Sequence, residues 1–220
     1  MKTSTVYQKS IKNPIETEFS VLKKGSSNKK LGFKVTAKKW TGKRLYSLTL
    51  VERETCPTSC HHWNDCYGNN MPFAHRFDSN GITTTLEEEI AILMDKHKNG
   101  IVIRLHVLGD FFSTAYIKFW EDMLIQYPKL CLFGYTARWD DDIYRELNLL
   151  NLRYSDRCVI RFSRNYSYDE IEDKIANRYA ASESFEGKSF DCPEQTGTIK
   201  DCASCGLCWT TNKNVRFASH

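Results

Sequence analysis

Three cysteines, Cys56, Cys60 and Cys66, stand within eleven positions of one another in the stretch 55–68, spaced C-x3-C-x5-C. Thiolates this close in sequence can share one metal centre, and three of them leave a coordination place open. On an iron–sulfur cluster that place takes a fourth cysteine or a small molecule; on zinc it takes a water. Pro57 stiffens the loop, Tyr67-Gly68 turns it, and His61, His62 and Trp63 are placed to shield what it holds. The plain alternative is a set of reduced, structural thiols. A second constellation, Cys192, Cys202, Cys205 and Cys208 in C-x9-C-x2-C-x2-C, supplies four thiolates and fits a closed site for zinc or for a 4Fe-4S cluster. Its consecutive two-residue gaps favour the cluster, since zinc sites more often join two separate C-x2-C pairs. The seven cysteines divide as three plus four, or as four plus three with Cys192 or another tail thiolate closing the first loop. Cys131 and Cys158 fall in predicted strands and read as core residues.

These thiols need a scaffold, and 220 residues with 41% hydrophobic content provide one domain of ordinary size. The longest apolar run, Ile90 to Met94, is far too short to span a bilayer, and the N-terminus lacks the apolar centre of a signal peptide. The expectation is a cytoplasmic protein, in which nine cysteines serve as ligands rather than disulfides. Residues 22–44 carry nine lysines and arginines and no acid, so that segment is +9 against +4 for the whole chain and the remainder is −5. A basic patch of this kind attracts nucleic acid or another polyanion; the competing reading is a solvated surface hairpin.

The first fifty residues pattern as short strands at 19–22, 31–37 and 45–51, separated by Gly- and Asn-containing turns. Beyond the cysteine loop, helix and strand alternate. Thr83-Thr84-Thr85 offers an N-cap for a helix carrying Leu86, Ile90 and Leu93 on one face, closed by Gly100. Strands are predicted at 101–107, 130–136, 158–162, 179–182 and 215–218. The helices expected between them run over 113–127, from Asp140 onward, and from the capping box Ser167-Tyr-Asp-Glu170. Such alternation implies parallel strands. Arg104 and His106, Thr136 and Arg138, and Arg161 and Ser163 each put polar side chains on one strand face, which predicts a cavity-lining face. The fold class expected is therefore α/β: a partial parallel (βα)6-type TIM-like barrel over 45–186, with a basic β-hairpin extension at 1–44 and a cysteine-rich tail at 187–220. At the carboxyl ends of its strands the sequence places the Cys56 loop, Gly109-Asp110, Ser113, Arg138, Arg161, Ser163 and the Cys192 region. The alternatives are a helix-start turn at Gly109-Asp110 and arginines paired to nearby aspartates.

A three-cysteine loop after the first strand, followed by a glycine-acid pair after the second, resembles the radical S-adenosylmethionine fold. More closely, Thr55-Cys-Pro and Cys66-Tyr-Gly, together with Gly109-Asp-Phe-Phe-Ser113 and the tail Cys192-Pro-Glu-Gln through Cys208-Trp209, resemble the phage-encoded gene product 88 family over roughly residues 45–209. That resemblance implies a viral or prophage origin, hence the cytoplasm of an infected host cell, and an iron–sulfur protein more than any particular reaction. Radical enzymes space their ligands C-x3-C-x2-C with an aromatic residue before the last cysteine, and set two glycines before their acid. Here the last gap is five, Asp65 precedes Cys66, and the chain reads Leu108-Gly109-Asp110.

Three functions follow. In a radical-type enzyme, an open iron binds S-adenosylmethionine while Gly109, Asp110, Ser113, Arg138, Arg161 and Ser163 hold the cofactor or a small-molecule substrate. A non-catalytic iron–sulfur protein would carry one or two 4Fe-4S clusters and serve an electron-transfer partner or sense redox state. A zinc-stabilised protein, with zinc at Cys192/Cys202/Cys205/Cys208, would bind nucleic acid through residues 22–44 and need no membrane.

Overall fold

The computed structural model describes residues 4–139, 141–164, 179–182 and 189–217. In chain order the strands are β1 (Ile11–Lys12), β2 (Lys23–Lys24), β3 (Arg44–Ser47), β4 (Arg76–Phe77), β5 (Ile101–Leu105), β6 (Cys131–Thr136), β7 (Cys158–Arg164), β8 (Tyr179–Ser182), β9 (Ser189–Asp191) and β10 (Asn214–Phe217). The helices are α1 (Ile82–Lys96), α2 (Thr114–Gln126), α3 (Asp142–Arg153), α4 (Cys202–Cys205) and α5 (Leu207–Thr210). Eight strands form one sheet in the order β2-β3-β5-β6-β7-β8-β10-β9, parallel throughout except for the antiparallel edge strand β2. The molecule is thus a mixed α/β protein with a mostly parallel sheet.

The core follows from strand alternation. Ile101, Ile103 and Leu105 of β5, Leu132 of β6 and Cys158, Ile160 and Phe162 of β7 point to one face, where they join Leu86 and Ile90 of α1, Ile117, Trp120 and Leu124 of α2 and Leu147 and Leu150 of α3. The intervening residues Val102, Cys131, Phe133 and Val159 form a second cluster with Leu31, Val35 and Trp40 from the N-terminal segment and Ala203 and Trp209 from the tail. Sequential strand order places all three long helices on the first face, so the two ends of the chain cover the second.

Several local expectations shift. The Thr83–Thr85 run lies inside α1, whose N-cap is Gly81, while Ser113 and Asp141 cap α2 and α3 by accepting from Tyr116 and Tyr144 amides. Asp140 and the Ser167–Glu170 capping box lie outside the described residues. The strand expected at 31–37 is reduced to a bridge between Lys34 and Arg44, since this segment pairs instead with the tail: Cys202 and Ala203 amides donate to Lys30 and Leu31 carbonyls, and Thr36 donates to Ala203. Gly32, at φ +77°, permits that approach, because a Cβ there would meet the Asp201 carboxyl at 2.7 Å. β5 ends at Leu105, which breaks the alternation expected through Val107. His106 therefore leaves Arg104's face and packs against Phe111 and Tyr116, with Nε2 3.1 Å from the Tyr116 hydroxyl.

The cysteine loop is framed by a buried ion pair. Glu52 and Arg76, both fully buried, meet at 2.8 Å. Glu52 also accepts from the Thr5 hydroxyl, and Arg76 donates to the carbonyls of Gly68, Met71 and Ala74 and to the Ser10 hydroxyl. Arg53 donates to Trp63 O and Asn69 Oδ1. The pair thus ties the segment before the loop to the segment after it.

Removing one partner of such a pair strands the other's charge in the interior. Glu52→Ala should cost about 3 kcal/mol, read as a lowered urea midpoint; an unchanged midpoint would show the pair to be dispensable. His106 gives a pH signature. Burial holds its imidazole down at about 3, against an ordinary value of 6.5. Because the folded value lies below the unfolded one, its contribution is complete above about pH 6.5 and is lost as pH falls through that value towards 3. His106→Phe should shed part of the wild-type loss in urea midpoint between pH 7 and pH 4; parallel profiles would contradict this.

Candidate metal centres

The first cysteine group begins five residues after Val51 and is fixed at its start by Thr55. The Thr55 hydroxyl donates to Val51 O at 2.9 Å and accepts from the Asp110 amide at 3.1 Å. Gly109 makes the approach possible: at φ +81° its absent Cβ would lie 2.6 Å from Thr55 Oγ1 and from Leu50 Cβ. At the far end Tyr67 donates its hydroxyl to Val107 O, so the loop lies across the carboxyl end of β5. Within the loop the thiols of Cys56, Cys60 and Cys66 are near enough for each to feel another's charge. Burial pushes all three up, Cys60 to about 11. Against burial act backbone amides aimed at the sulfurs: Arg53 at Cys56, His62 at Cys60 and Gly68 at Cys66. The last two come from the residue two positions on, and each favours the thiolate over the thiol.

The tail carries the second group. Asp201 caps α4 by accepting from the Ser204 amide, Gly206 turns the chain at φ +64°, and α5 follows. Cys192 acts electrostatically on Cys202, Cys205 and Cys208, Cys208 acts on Cys202, and Cys205 acts on Cys208. Burial raises Cys202 to about 12 and also raises Cys205 and Cys208. The Leu207 amide is aimed at Cys205, repeating the two-residue pattern of Cys60 and Cys66. The Tyr135 hydroxyl donates to Cys208 Sγ at 3.0 Å.

The tail is also docked by means other than its thiols. Trp209 is buried, stacked on Trp40 with ring centroids 5.3 Å apart and tilted against Phe133 at 4.7 Å. Arg161 donates to the carbonyls of Cys208, Thr211 and Lys213. From composition alone the tail has little to order it without metal. The structure supplies one large aromatic anchor and a carbonyl-capped arginine.

Each residue expected to hold a cofactor is engaged within the chain. Asp110, 3% exposed, accepts on Oδ1 from the Thr136 hydroxyl and the Phe111 amide and on Oδ2 from the Ala137 amide, each at 2.7 Å. Burial raises it to about 6 against the pull of those donors. Ser113 caps α2. Arg138 donates to Phe111 O and Thr55 O and lies 3.5 Å from Asp141. Arg161 holds the tail, and Ser163 is exposed near the end of β7. Gly109, Asp110 and Arg138 thus converge on the start of the cysteine loop, and Arg161 converges on the tail. Cys131 and Cys158 are buried in strands, and no backbone amide is among the groups that act on Cys131. Residues the sequence reading passed over are Glu52 and Arg76, which frame the loop, and Tyr135, which reaches Cys208. Their signal was position alone: charges beside an apolar strand, and a tyrosine two residues from a strand's polar end.

Among the described residues no three histidine, cysteine or acidic side chains stand close enough together to hold a single metal ion as they lie. A cluster distributes its thiolates around a cube of iron and sulfide rather than around one ion. The donor set fits such a group: three and four thiols in two clusters, with amides aimed at four of the seven sulfurs.

In the basic segment several cations are bound internally. Lys43 donates to the carbonyls of Asn99 and Lys129, Lys39 to Ser155 O, and Arg44 lies 4.1 Å over the Phe33 ring. No helix among the described residues is long and apolar enough to cross a membrane.

No family model matches the chain, and no solved structure matches it. Among curated proteins it is similar to the Gene 88 protein of Mycobacterium phage L5, 27% identical over 162 residues covering 64% of this chain and 66% of the relative. It is likewise similar to the Gene 88 protein of Mycobacterium phage D29, 28% identical over 166 residues with 64% and 66% covered. The chain spans just under two thirds of the length of these relatives, and this distant likeness supports a phage-encoded product.

Proposed function

We propose that the chain is a phage iron–sulfur protein: Cys56, Cys60 and Cys66 hold a 4Fe-4S cluster at the carboxyl end of the parallel strands, and Cys192, Cys202, Cys205 and Cys208 hold a second cluster or a zinc ion. The observation that carries this reading is the placing of the Cys56 loop across the carboxyl end of β5, held by the Tyr67 hydroxyl on Val107 O and by the Asp110 amide on the Thr55 hydroxyl; backbone amides acting on the sulfurs of Cys56, Cys60, Cys66 and Cys205 favour their thiolates there. In this reading the sheet is a partial, radical-S-adenosylmethionine-like barrel. Its support is the sequential strand order with helices on one face and the Cys56 loop at the strand ends. The cluster supplies one-electron chemistry. Asp110 and Arg138 fix the loop against the sheet, and the partner is an electron donor or acceptor.

A second reading, cleavage of S-adenosylmethionine, is favoured by the carboxyl of Asp110 acting on Cys56 and Cys60 beside a group with three thiols. The engagement of both Asp110 oxygens by chain donors favours the electron-transfer reading instead.

Protein purified and reconstituted without oxygen should be brown and contain iron and acid-labile sulfide. Cys60→Ala should lower the iron content and Cys205→Ala the iron or zinc content, while Cys131→Ala should leave both unchanged. A colourless protein with stoichiometric zinc and no iron would overturn the iron–sulfur assignment. For the choice between the two readings, adding S-adenosylmethionine to the reduced protein should leave its electron paramagnetic resonance spectrum unaltered. A changed spectrum that Asp110→Ala restores would establish direct binding at the first cluster.

A further inference from the structure

Among the described residues, Arg104 is a sheet cation whose surroundings the fold leaves unexplained. It projects from β5 to the face covered by the tail, opposite the helices. Its Nε is shut off from solvent and has no hydrogen-bond partner. Arg161, two strands away in the sheet order, also meets the tail and satisfies itself on three carbonyls. Arg104 lies instead over the Tyr135 ring, 5.8 Å from its centroid, and the Tyr135 hydroxyl reaches Cys208 Sγ at 3.0 Å. The groups whose charge acts on Arg104 are Tyr67, Tyr135, Cys202 and Cys208. Tyr67 directly follows Cys66. No carboxylate is among those groups.

Arg104 is half-buried, and a guanidinium whose Nε is shut away from water is stabilised by a counter-charge or an acceptor at that nitrogen. With every thiol protonated this one has neither on its Nε. Metal loading changes that, since bound cysteines are thiolates and four of them outweigh the charge of the metal they hold.

We propose that Arg104 is the counter-cation of the tail's thiolate centre, set beside it through Tyr135 so that loading the metal supplies the negative charge its guanidinium lacks. The proposal rests on the metal-thiolate reading above and holds for a cluster or for zinc. It makes Arg104 a positioning residue: it touches no iron, and acts through the charge and hydrogen bonding of the thiolates. It also accounts for a tyrosine hydroxyl directed at Cys208, which shares the same sulfur charge from the other side of the cation.

The test uses the full chain, reconstituted with iron and sulfide, or loaded with zinc alone, and challenged with a chelator. Arg104→Gln should retain the fold and lose metal from the tail group at least about tenfold more readily, the scale of outer-shell substitutions at metal sites. The iron-loaded variant should also have a more negative reduction potential, because an unneutralised centre resists a further electron. Arg104→Lys, which keeps the charge, should restore most of both. Wild-type and Arg104→Gln proteins with equal metal retention and equal potential would overturn the inference and leave the metal-thiolate reading standing. Equal losses in the Gln and Lys variants would also overturn it, by showing that packing and not charge is at stake. A wild-type chain that binds neither iron nor zinc would remove both the reading and the inference.

Discussion

A parallel sheet wound in sequential order puts its connecting helices on one face, and something else must cover the other. Here α1, α2 and α3 bury Ile103, Leu132 and Ile160, while Val102, Phe133 and Val159 are left facing away from them. The chain meets this constraint with its own ends. The segment around Leu31, Val35 and Trp40 lies on the second face, and Trp209 of the tail stacks onto it. Burying side chains of this size contributes roughly 1.5–3 kcal/mol each. Covering the face is therefore a large part of what holds the tail in place, and it carries Cys202, Cys205 and Cys208 to the sheet.

The same covering explains the polar residues of that face. Arg104, Tyr135 and Arg161 would be costly in an apolar interface unless each met a partner. Arg161 meets the carbonyls left free at the end of α5 and beyond it, and Tyr135 meets Cys208. What reads along the strand as the lining of an open cavity is a docking surface for the tail. Arg104 in turn lies over the Tyr135 ring, beside the tail thiol that Tyr135 meets.

At the opposite end of the first group the frame is electrostatic. Glu52 and Arg76 are fully buried and hydrogen-bonded to backbone and side chain on all sides. Such a pair adds little to stability relative to apolar packing, yet it specifies one geometry, because any other leaves a charge unmet. A loop proposed to present three thiols to one centre would need that kind of specification more than affinity for the core.

Much was legible in the chain itself. The strands over 101–105, 131–136 and 158–164, and helices α2 and α3, follow from hydrophobic period and capping chemistry, which act over a few residues. The two cysteine constellations follow from spacing. Tertiary structure alone decided how those parts were used. The N-terminal segment turns back on itself, with Phe33 and Val35 bonded to Leu45, Lys43 and Gly42, and it also bonds through Lys30, Leu31 and Thr36 to the tail, a partner some 170 residues away in sequence. His106 left the face of Arg104 because β5 stopped one residue before it. Asp110 and Arg138, read as ligands for a cofactor, are tied to Thr55, Phe111, Thr136 and Ala137, and nothing in sequence separation shows that these atoms meet. Local order is set by neighbouring residues and can be read from them. The stacking of Trp209 on Trp40, the burial of Glu52 against Arg76 and the setting of Arg104 over Tyr135 depend on long-range packing, which only the folded chain determines.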